Sequence, residues 1–313
     1  MKRMFPLLAL LAVFPLLVAS WLLVHASAPR VKRWAPGTGR RIRRGGLSAR
    51  VFGTGDEVVM LLPGIAASGT FYGAAYDRLG DAATVVVVDP LGFGASLPDD
   101  RETTGFTLEA HLDALDALLG ELDLSTRPLT LVGHSMGASL AIHLAARRAS
   151  VSRVIAFDAP LYTSREEALG RVHGMGWFEA LLANGPVAER VCEWMCHHHD
   201  IATRLSVLIN PTLPSAIARE GMLHTWPSYI GAFDSIVTSP DWAAALRTLE
   251  SRGTPVFLIN GADDPVPVPG RAAALAPAGG NIRSSTHPGR HDLPLAHPTW
   301  SALQVEQLVR PPG

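Results

Sequence analysis

Residues 129–142 run Leu129-Thr130-Leu131-Val132-Gly133-His134-Ser135-Met136-Gly137-Ala138-Ser139-Leu140-Ala141-Ile142. Four strand-forming residues lead into Gly-x-Ser-x-Gly, and a helix-forming stretch, Ala138 to Arg148, follows at once. A bare match to this motif arises by chance in a chain with 29 glycines, so its meaning comes from standing between a strand and a helix. There Ser135 occupies a sharp, strained turn whose flanking positions have no room for side chains, hence Gly133 and Gly137. Oγ then stands at the C-terminal edge of a sheet, and the Met136 N–H points from a helix N-terminus at any oxyanion that develops beside it.

Outward from this turn, short β-branched runs alternate with longer helical ones, which is the pattern of an α/β fold with a mostly parallel central sheet and helices on both faces. Strands are expected at Val58–Leu62, Thr84–Val88, Leu129–Val132, Val154–Phe157, Val256–Asn260 and Asn281–Ser284. Several are continuous apolar runs, as strands covered on both faces should be. Leu108, Leu112, Leu115, Leu119 and Leu122 step by four and three residues, one apolar stripe on a helix that Thr107 can cap. After Asp158 the rhythm breaks. Residues 161–245 show helical periodicity with Pro/Gly punctuation and no strand, the mark of an inserted helical cap.

A serine hydroxyl is a weak nucleophile; it needs a base, and the base needs a group that holds its tautomer. Both follow in the chain. Gly261-Ala262-Asp263-Asp264-Pro265 places two carboxylates at the C-terminal end of a strand, where open α/β sheets keep their sites. Gly289-Arg290-His291-Asp292-Leu293-Pro294 lies past the last strand, with His287 and His297 on either side. The order is Ser, Asp, His.

With these motifs the sequence resembles the α/β-hydrolase family over about residues 51–310, the cap excepted. Leu61-Leu62-Pro63-Gly64-Ile65 is similar to the His-Gly-x segment after an early strand, Asp89-Pro90-Leu91-Gly92-Phe93-Gly94-Ala95-Ser96 to an Asp-x-x-Gly-x-Gly-x-Ser turn, and the two segments just quoted to the acid turn and the histidine loop. The resemblance implies Ser135 as nucleophile, His291 as base and Asp264, three residues after its glycine, as the orienting acid, leaving Asp263 a solvated turn residue. It implies an oxyanion hole made by the Ile65 and Met136 N–H groups. His134 is expected to be a structural part of the turn, and His143 a packed or surface residue of the following helix. One departure stands out: Pro63 occupies the place of the family's histidine, which removes a side chain that supports this loop.

The implied activity is serine hydrolysis of carboxylic esters on small-molecule substrates, without metal or other cofactor. A serine at the turn disfavours epoxide hydrolases and haloalkane dehalogenases, which place aspartate there. Carbon–carbon bond hydrolases and cofactor-free haloperoxidases share the triad and stay as alternatives. So does a membrane-tethered binding or signalling module with little turnover, although such a module has no need for a nucleophile and base together. Trp177, Phe178, Leu181, Leu182, Met222, Leu223, Trp226, Tyr229, Ile230 and Phe233 offer the cap an apolar lining beyond what packing consumes.

At 313 residues, 48% hydrophobic and 18% charged, the chain holds ample material for one core. Its net charge of −1 is unevenly spread: residues 1–44 hold nine Lys/Arg and no acid, leaving 18 cations against 28 acids in the remainder. An acidic body argues against nucleic acid as a partner. Met4 to Val24 carry no charge over 21 residues, about the 30 Å of a hydrocarbon core if helical. Residues 1–28 are therefore expected to be a retained single-pass anchor, or a cleaved signal given the small residues of Ala26-Ser27-Ala28. The cations that follow put the body on the cytoplasmic side, whereas the short basic start reads as export, so the side stays open. Residues 29–50 read as a basic linker, 51–160 and 246–313 as the two parts of the core. Cys192, Cys196 and His199 would share one face of a helix as a partial metal site, but the spacing matches no common zinc pattern, and both cysteines are read as free thiols.

Overall fold

The computed structural model describes residues 31, 34–100, 103–175, 185–209 and 213–309. The apolar segment 4–24 lies outside them, as do Trp177, Phe178, Leu181 and Leu182. No helix among the described residues is long and apolar enough to cross a membrane.

Eight strands form one sheet in the order β1-β2-β4-β3-β5-β6-β7-β8: β1 (Arg40–Arg44), β2 (Leu47–Phe52), β3 (Glu57–Leu62), β4 (Ala83–Val88), β5 (Leu129–His134), β6 (Val151–Phe157), β7 (Val256–Gly261) and β8 (Ile282–His287). From β4 to β8 every neighbouring pair is parallel; β1–β2 and β2–β4 are antiparallel. All six expected strands are present, each within a few residues of its expected bounds. Because side chains alternate across a strand, Val58, Met60 and Leu62 of β3 enter one core while Val59 and Leu61 enter the other. The first core is covered by α1 (Leu108–Glu121) and α2 (Met136–Arg147). Thr107 caps α1 by accepting a hydrogen bond from the Ala110 N–H, and the leucine stripe faces the sheet, with Leu112, Leu115 and Leu119 buried, Leu108 and Leu122 packed at its ends and Leu118 buried beside it. The second core holds Tyr72, Tyr76, Ala302, Val305 and Val309.

The segment expected as a linker to residue 50 is part of the sheet from Arg40 onward. Gly45 (φ +56°) and Gly46 (φ +75°) make a two-residue turn with both central residues left-handed, which joins β1 to β2 as a tight hairpin. The charge of β2 is accommodated inside: the Arg50 guanidinium pairs with Asp77 at 2.6 Å and donates to the Thr38 and Tyr72 carbonyls. The core therefore begins some ten residues earlier than residue 51.

Between β6 and β7 the described residues contain no strand. They form α3 (Arg165–Met175), α4 (Pro186–His197), α5 (His199–Ile209), α6 (Ser215–Glu220), α7 (Trp226–Ala232), a π-helical turn (Phe233–Val237) and α8 (Trp242–Ser251). α8 lies against α2 and buries Ala245, Leu246 and Leu249, so the return to the sheet layer starts at Trp242, inside the stretch 161–245 read as cap. The last described element, α9 (Pro298–Val309), packs on the opposite face. His198 (φ −123°, ψ 46°) breaks α4 from α5, so Cys192 and Cys196 share a helix but His199 starts the next. No disulfide joins Cys192 and Cys196, and Cys196 Sγ donates to the His224 carbonyl at 2.9 Å.

Candidate active site

Ser135 has φ +53° and ψ −120°, a conformation that a side-chain-bearing residue adopts only under constraint. The constraint comes from both sides. The Ser135 N–H donates to the Phe157 carbonyl of β6 at 2.9 Å, and the flanking glycines are clamped: a Cβ on Gly133 would lie 2.1 Å from the Gly137 carbonyl oxygen, and one on Gly137 would lie 2.1 Å from that of Leu62. No side chain fits either place.

The structure brings the three separated residues together. His291 Nε2 lies 3.0 Å from Ser135 Oγ, and His291 Nδ1 lies 2.9 Å from Asp264 Oδ2. Asp264 Oδ1 accepts the Val266 N–H at 2.8 Å. Burial alone would raise this carboxyl, but the hydrogen bond and charge of His291, with the Val266 N–H, outweigh it and hold Asp264 below the ordinary carboxylate value. Ser135 is 7% exposed, the Asp264 side chain 1% and the His291 side chain 27%, so solvent reaches the site past the imidazole. Asp263 is exposed and its N–H donates to Gly289. His287 stacks on Trp300 at 3.7 Å between ring centroids and meets His297 edge-on, so neither flanking histidine belongs to the triad.

Met136 is the first residue of α2, so its N–H precedes the first bond of the helix, which the Ser135 carbonyl accepts from Ala138 and Ser139. The Pro63-Gly64-Ile65 turn runs close beside it, since a Cβ on Gly64 would stand 3.3 Å from Ser135 Cβ. With proline in place of a supporting histidine, the loop is held from its other end by Tyr72, whose hydroxyl donates to the Leu62 carbonyl at 2.9 Å. The Asp89–Ser96 turn is a structural knot. Asp89 accepts the Gly69 and Ala95 N–H groups, and the Gly94 N–H donates to Leu223, pinning the cap to the core. Trp226, Tyr229 and Phe233 of the cap stack in series, and Phe233 is buried in the first core.

His134 is buried behind the triad, stacked on Phe71 at 4.7 Å, with Nε2 2.5 Å from the His291 carbonyl oxygen. A carbonyl only accepts, so Nε2 carries the hydrogen. Burial first, and then the neighbouring His291, push its pKa down to about 3. His134, Asp158 and His291 have nitrogen and oxygen atoms within 4.8 Å of one another. With its Nε2 lone pair committed as N–H, His134 does not fit as a metal ligand from that side.

Asp158 is the one member of this group that the sequence reading passed over. It is fully buried at the end of β6, beside the Gly261–Asp264 turn that ends β7. Burial first, then the adjacent Asp264, push its carboxyl up to about 9. The signal that singled out Asp264, a carboxylate at the C-terminal end of a parallel strand, applies equally to Phe157-Asp158.

A model of the alpha/beta hydrolase family matches residues 58–302. Among curated proteins, a human serine hydrolase, BPHL, is 34% identical over 120 residues, 37% of this chain and 40% of that protein. A putative carbamate hydrolase, RutD, of Pantoea ananatis is 36% identical over 91 residues, 29% of this chain and 32% of that one. The chain thus spans less than half the length of these curated relatives. Solved structures align far more fully at low identity. They include the enol-lactonase of Burkholderia xenovorans LB400 (TM-score 0.63, 18% identity, 86% of this chain and 99% of that one) and an N-formylmaleamic acid deformylase of Pseudomonas putida S16 (0.61, 22%, 86% and 100%). A thermophilic esterase of Thermogutta terrifontis gives 0.60 at 21% identity, over 87% and 98%. At these identities the structural likeness speaks for the fold, and with the family match over residues 58–302 it settles kinship: the chain belongs to the alpha/beta hydrolase family.

Proposed function

We propose that this protein is a serine hydrolase that cleaves carboxylic esters with apolar, lipid-like acyl groups through an acyl-enzyme. One observation carries the reading: the continuous hydrogen-bonded line from Ser135 Oγ through both nitrogens of His291 to Asp264. In the first half, Oγ bonds to the acyl carbon as its proton passes to His291 Nε2. The tetrahedral oxyanion is held by the Ile65 and Met136 N–H groups, and collapse breaks the acyl–oxygen bond as the imidazolium returns the proton to the departing alcohol. Water then repeats the sequence against the acyl-enzyme and regenerates Ser135. Asp264 keeps the Nδ1–H tautomer throughout and stabilises the imidazolium. Every step uses protein groups and water. The charge-free segment 4–24, read as a tether, would keep the enzyme where apolar esters concentrate.

The test is a fluorophosphonate probe with p-nitrophenyl and monoacylglycerol esters of graded chain length, applied to wild type, Ser135→Ala and His291→Ala. Labelling at Ser135 and ester turnover should both appear in wild type. Ser135→Ala should lose labelling and lower kcat by at least about 10³-fold while the protein stays folded. Labelling without ester turnover would overturn the ester assignment and leave carbon–carbon or amide bonds as the target.

A further inference from the structure

Two acids, Asp158 and Asp264, lie at the ends of neighbouring parallel strands on the side of His291 away from Ser135. β6 and β7 are parallel neighbours, with Phe157 opposite Ile259, so the residues that follow them emerge side by side. The Asp158 N–H donates to the Ile259 carbonyl at 2.9 Å, and Asp158 Oδ1 accepts the Gly261 N–H at 2.7 Å. Asp158 has φ +52°, so this residue, like Ser135, is held in a conformation its side chain resists. Its Oδ2 is buried and meets no N–H or O–H donor of the described residues. The turn that Asp158 is bonded to through Gly261 is the one that carries Asp264, whose N–H donates to the Gly261 carbonyl at 3.3 Å, and after burial the Asp264 carboxyl is the group that acts on Asp158 most strongly. His134 Nε2 stands 3.9 Å from Asp158 Oδ2, too far for a hydrogen bond, and its hydrogen is directed at the His291 carbonyl.

Two neighbouring carboxylates cannot both be ionised out of water, so the pair holds one proton. Asp264 has two donors, His291 Nδ1–H and Val266 N–H, which stabilise its anion. Asp158 has one neutral donor, Gly261 N–H, and is fully buried from solvent. The other titratable groups around Asp158 do not reverse this: His134 is kept neutral by burial, and Asp292 of the histidine loop adds negative charge. We propose that Asp158 holds the proton of this acid pair and, by donating it from Oδ2 to Asp264, aims the Asp264 carboxylate at His291. Asp158 is a positioning residue, and the proposal rests on the roles given above to Ser135, His291 and Asp264. The shared proton supplies Asp264 with a third hydrogen bond that fixes its rotation. It also keeps the charge behind the imidazole at one unit instead of two.

Asp158→Asn keeps every polar contact, since the amide oxygen can accept from Gly261 and the amide N–H can donate to Asp264, but it has no proton to lose. Asp158→Ala removes the donor and leaves the Gly261 N–H unpaired. Wild-type kcat should fall at high pH along a limb with an apparent pKa near that of Asp158, about 9. In Asp158→Asn that limb should disappear while kcat at pH 7 stays within about threefold; Asp158→Ala should lower kcat about 10- to 100-fold with little change in KM. An unchanged alkaline limb in Asp158→Asn, or a loss as large as that of Asp158→Ala, would overturn the proposal. The proton can also be read without turnover. The carboxyl ¹³C signal that Asp158→Asn removes should titrate near pH 9 in wild type, and titration near pH 4 would overturn the proposal. If wild type neither labels nor hydrolyses esters while this signal still titrates near 9, the ester reading fails and the acid pair stands.

Discussion

A carboxyl that keeps its proton in the fold but loses it on unfolding costs stability at every pH between its two pKa values. Asp158 is raised from 3.8 to about 9, so its favourable contribution is complete below 3.8 and is lost progressively as pH rises toward 9. At pH 7 the unfolded chain is ionised at this residue and the native chain is not. Asp158→Asn removes that mismatch while keeping its hydrogen bonds, so it should stabilise the protein by on the order of 4 kcal/mol at pH 7, and by about 1 kcal/mol at pH 4.5. Urea midpoints of the two proteins at both pH values check this. A variant no more stable than wild type at pH 7 would mean that Asp158 is ionised in the fold. Ser135 carries a cost of a different kind, since its φ of +53° is strained and is held by Gly133, Gly137 and the Phe157 carbonyl. Strain at Ser135 and a protonated Asp158 are both costs to folding, and in the proposed mechanism both fall on groups that it uses.

At the scale of elements, the β1–β2 hairpin shows how a strongly charged segment enters a sheet. β1 is an edge strand whose arginines face water, a composition that discourages pairing with other chains, while β2 pairs with β4 and must bury Arg50. The guanidinium is held by Asp77, the Thr38 and Tyr72 carbonyls and the face of Phe52. Asp77→Ala would strand that charge among carbonyls. It should cost about 3 kcal/mol, toward the low end for a broken buried pair because the Asp77 side chain is 20% exposed, as read from the urea midpoint. Labelling of Ser135 in the folded fraction should be unaffected, because β3 and β4 separate the hairpin from the site. This hairpin was the part of the sheet hidden in the sequence. Arg40-Arg41-Ile42-Arg43-Arg44 has a tether's composition, and Arg50 breaks the apolar alternation of β2; only Gly45-Gly46 between the two runs marked a turn. The buried parallel strands were legible because each is an apolar run with turn residues at its ends. The grouping of Ser135, Asp264 and His291 was legible because each stands in its own local motif, in the order Ser, Asp, His. Asp158 was not, because its partner arrives through the adjacency of β6 and β7, and its protonation state depends on burial that no single segment encodes.

Across the whole molecule, burial of neutral histidines ties stability to acidity. His111 in α1, His134 at the end of β5, His143 in α2 and His224 in the cap all have lowered pKa values with burial as the main cause; His134 falls to about 3 and His224 to about 4. Once unfolded they titrate near 6.5. Below that pH the unfolded state takes up protons that the native state refuses, so stability falls as pH falls, by about 1.4 kcal/mol per unit for each such histidine. The raised carboxyls act in the opposite sense: the native state already holds the Asp158 proton through this window, which offsets about one histidine, and Asp89 offsets part of another. At least one histidine's slope survives the cancellation. Between pH 6 and 4.5 the protein should therefore lose on the order of 2 kcal/mol or more, a large share of the roughly 5–15 kcal/mol that holds a domain folded. Urea midpoints at pH 7.5, 6, 5 and 4.5 measure the slope, and a stability that stays flat over this range would show that these histidines reach water in the fold. The same series in Asp158→Asn should fall more steeply than wild type, because the substitution removes the offsetting proton and leaves the histidines unopposed. The steeper slope and the gain at pH 7 are then two readings of one proton, and a variant that showed either without the other would contradict its placement on Asp158.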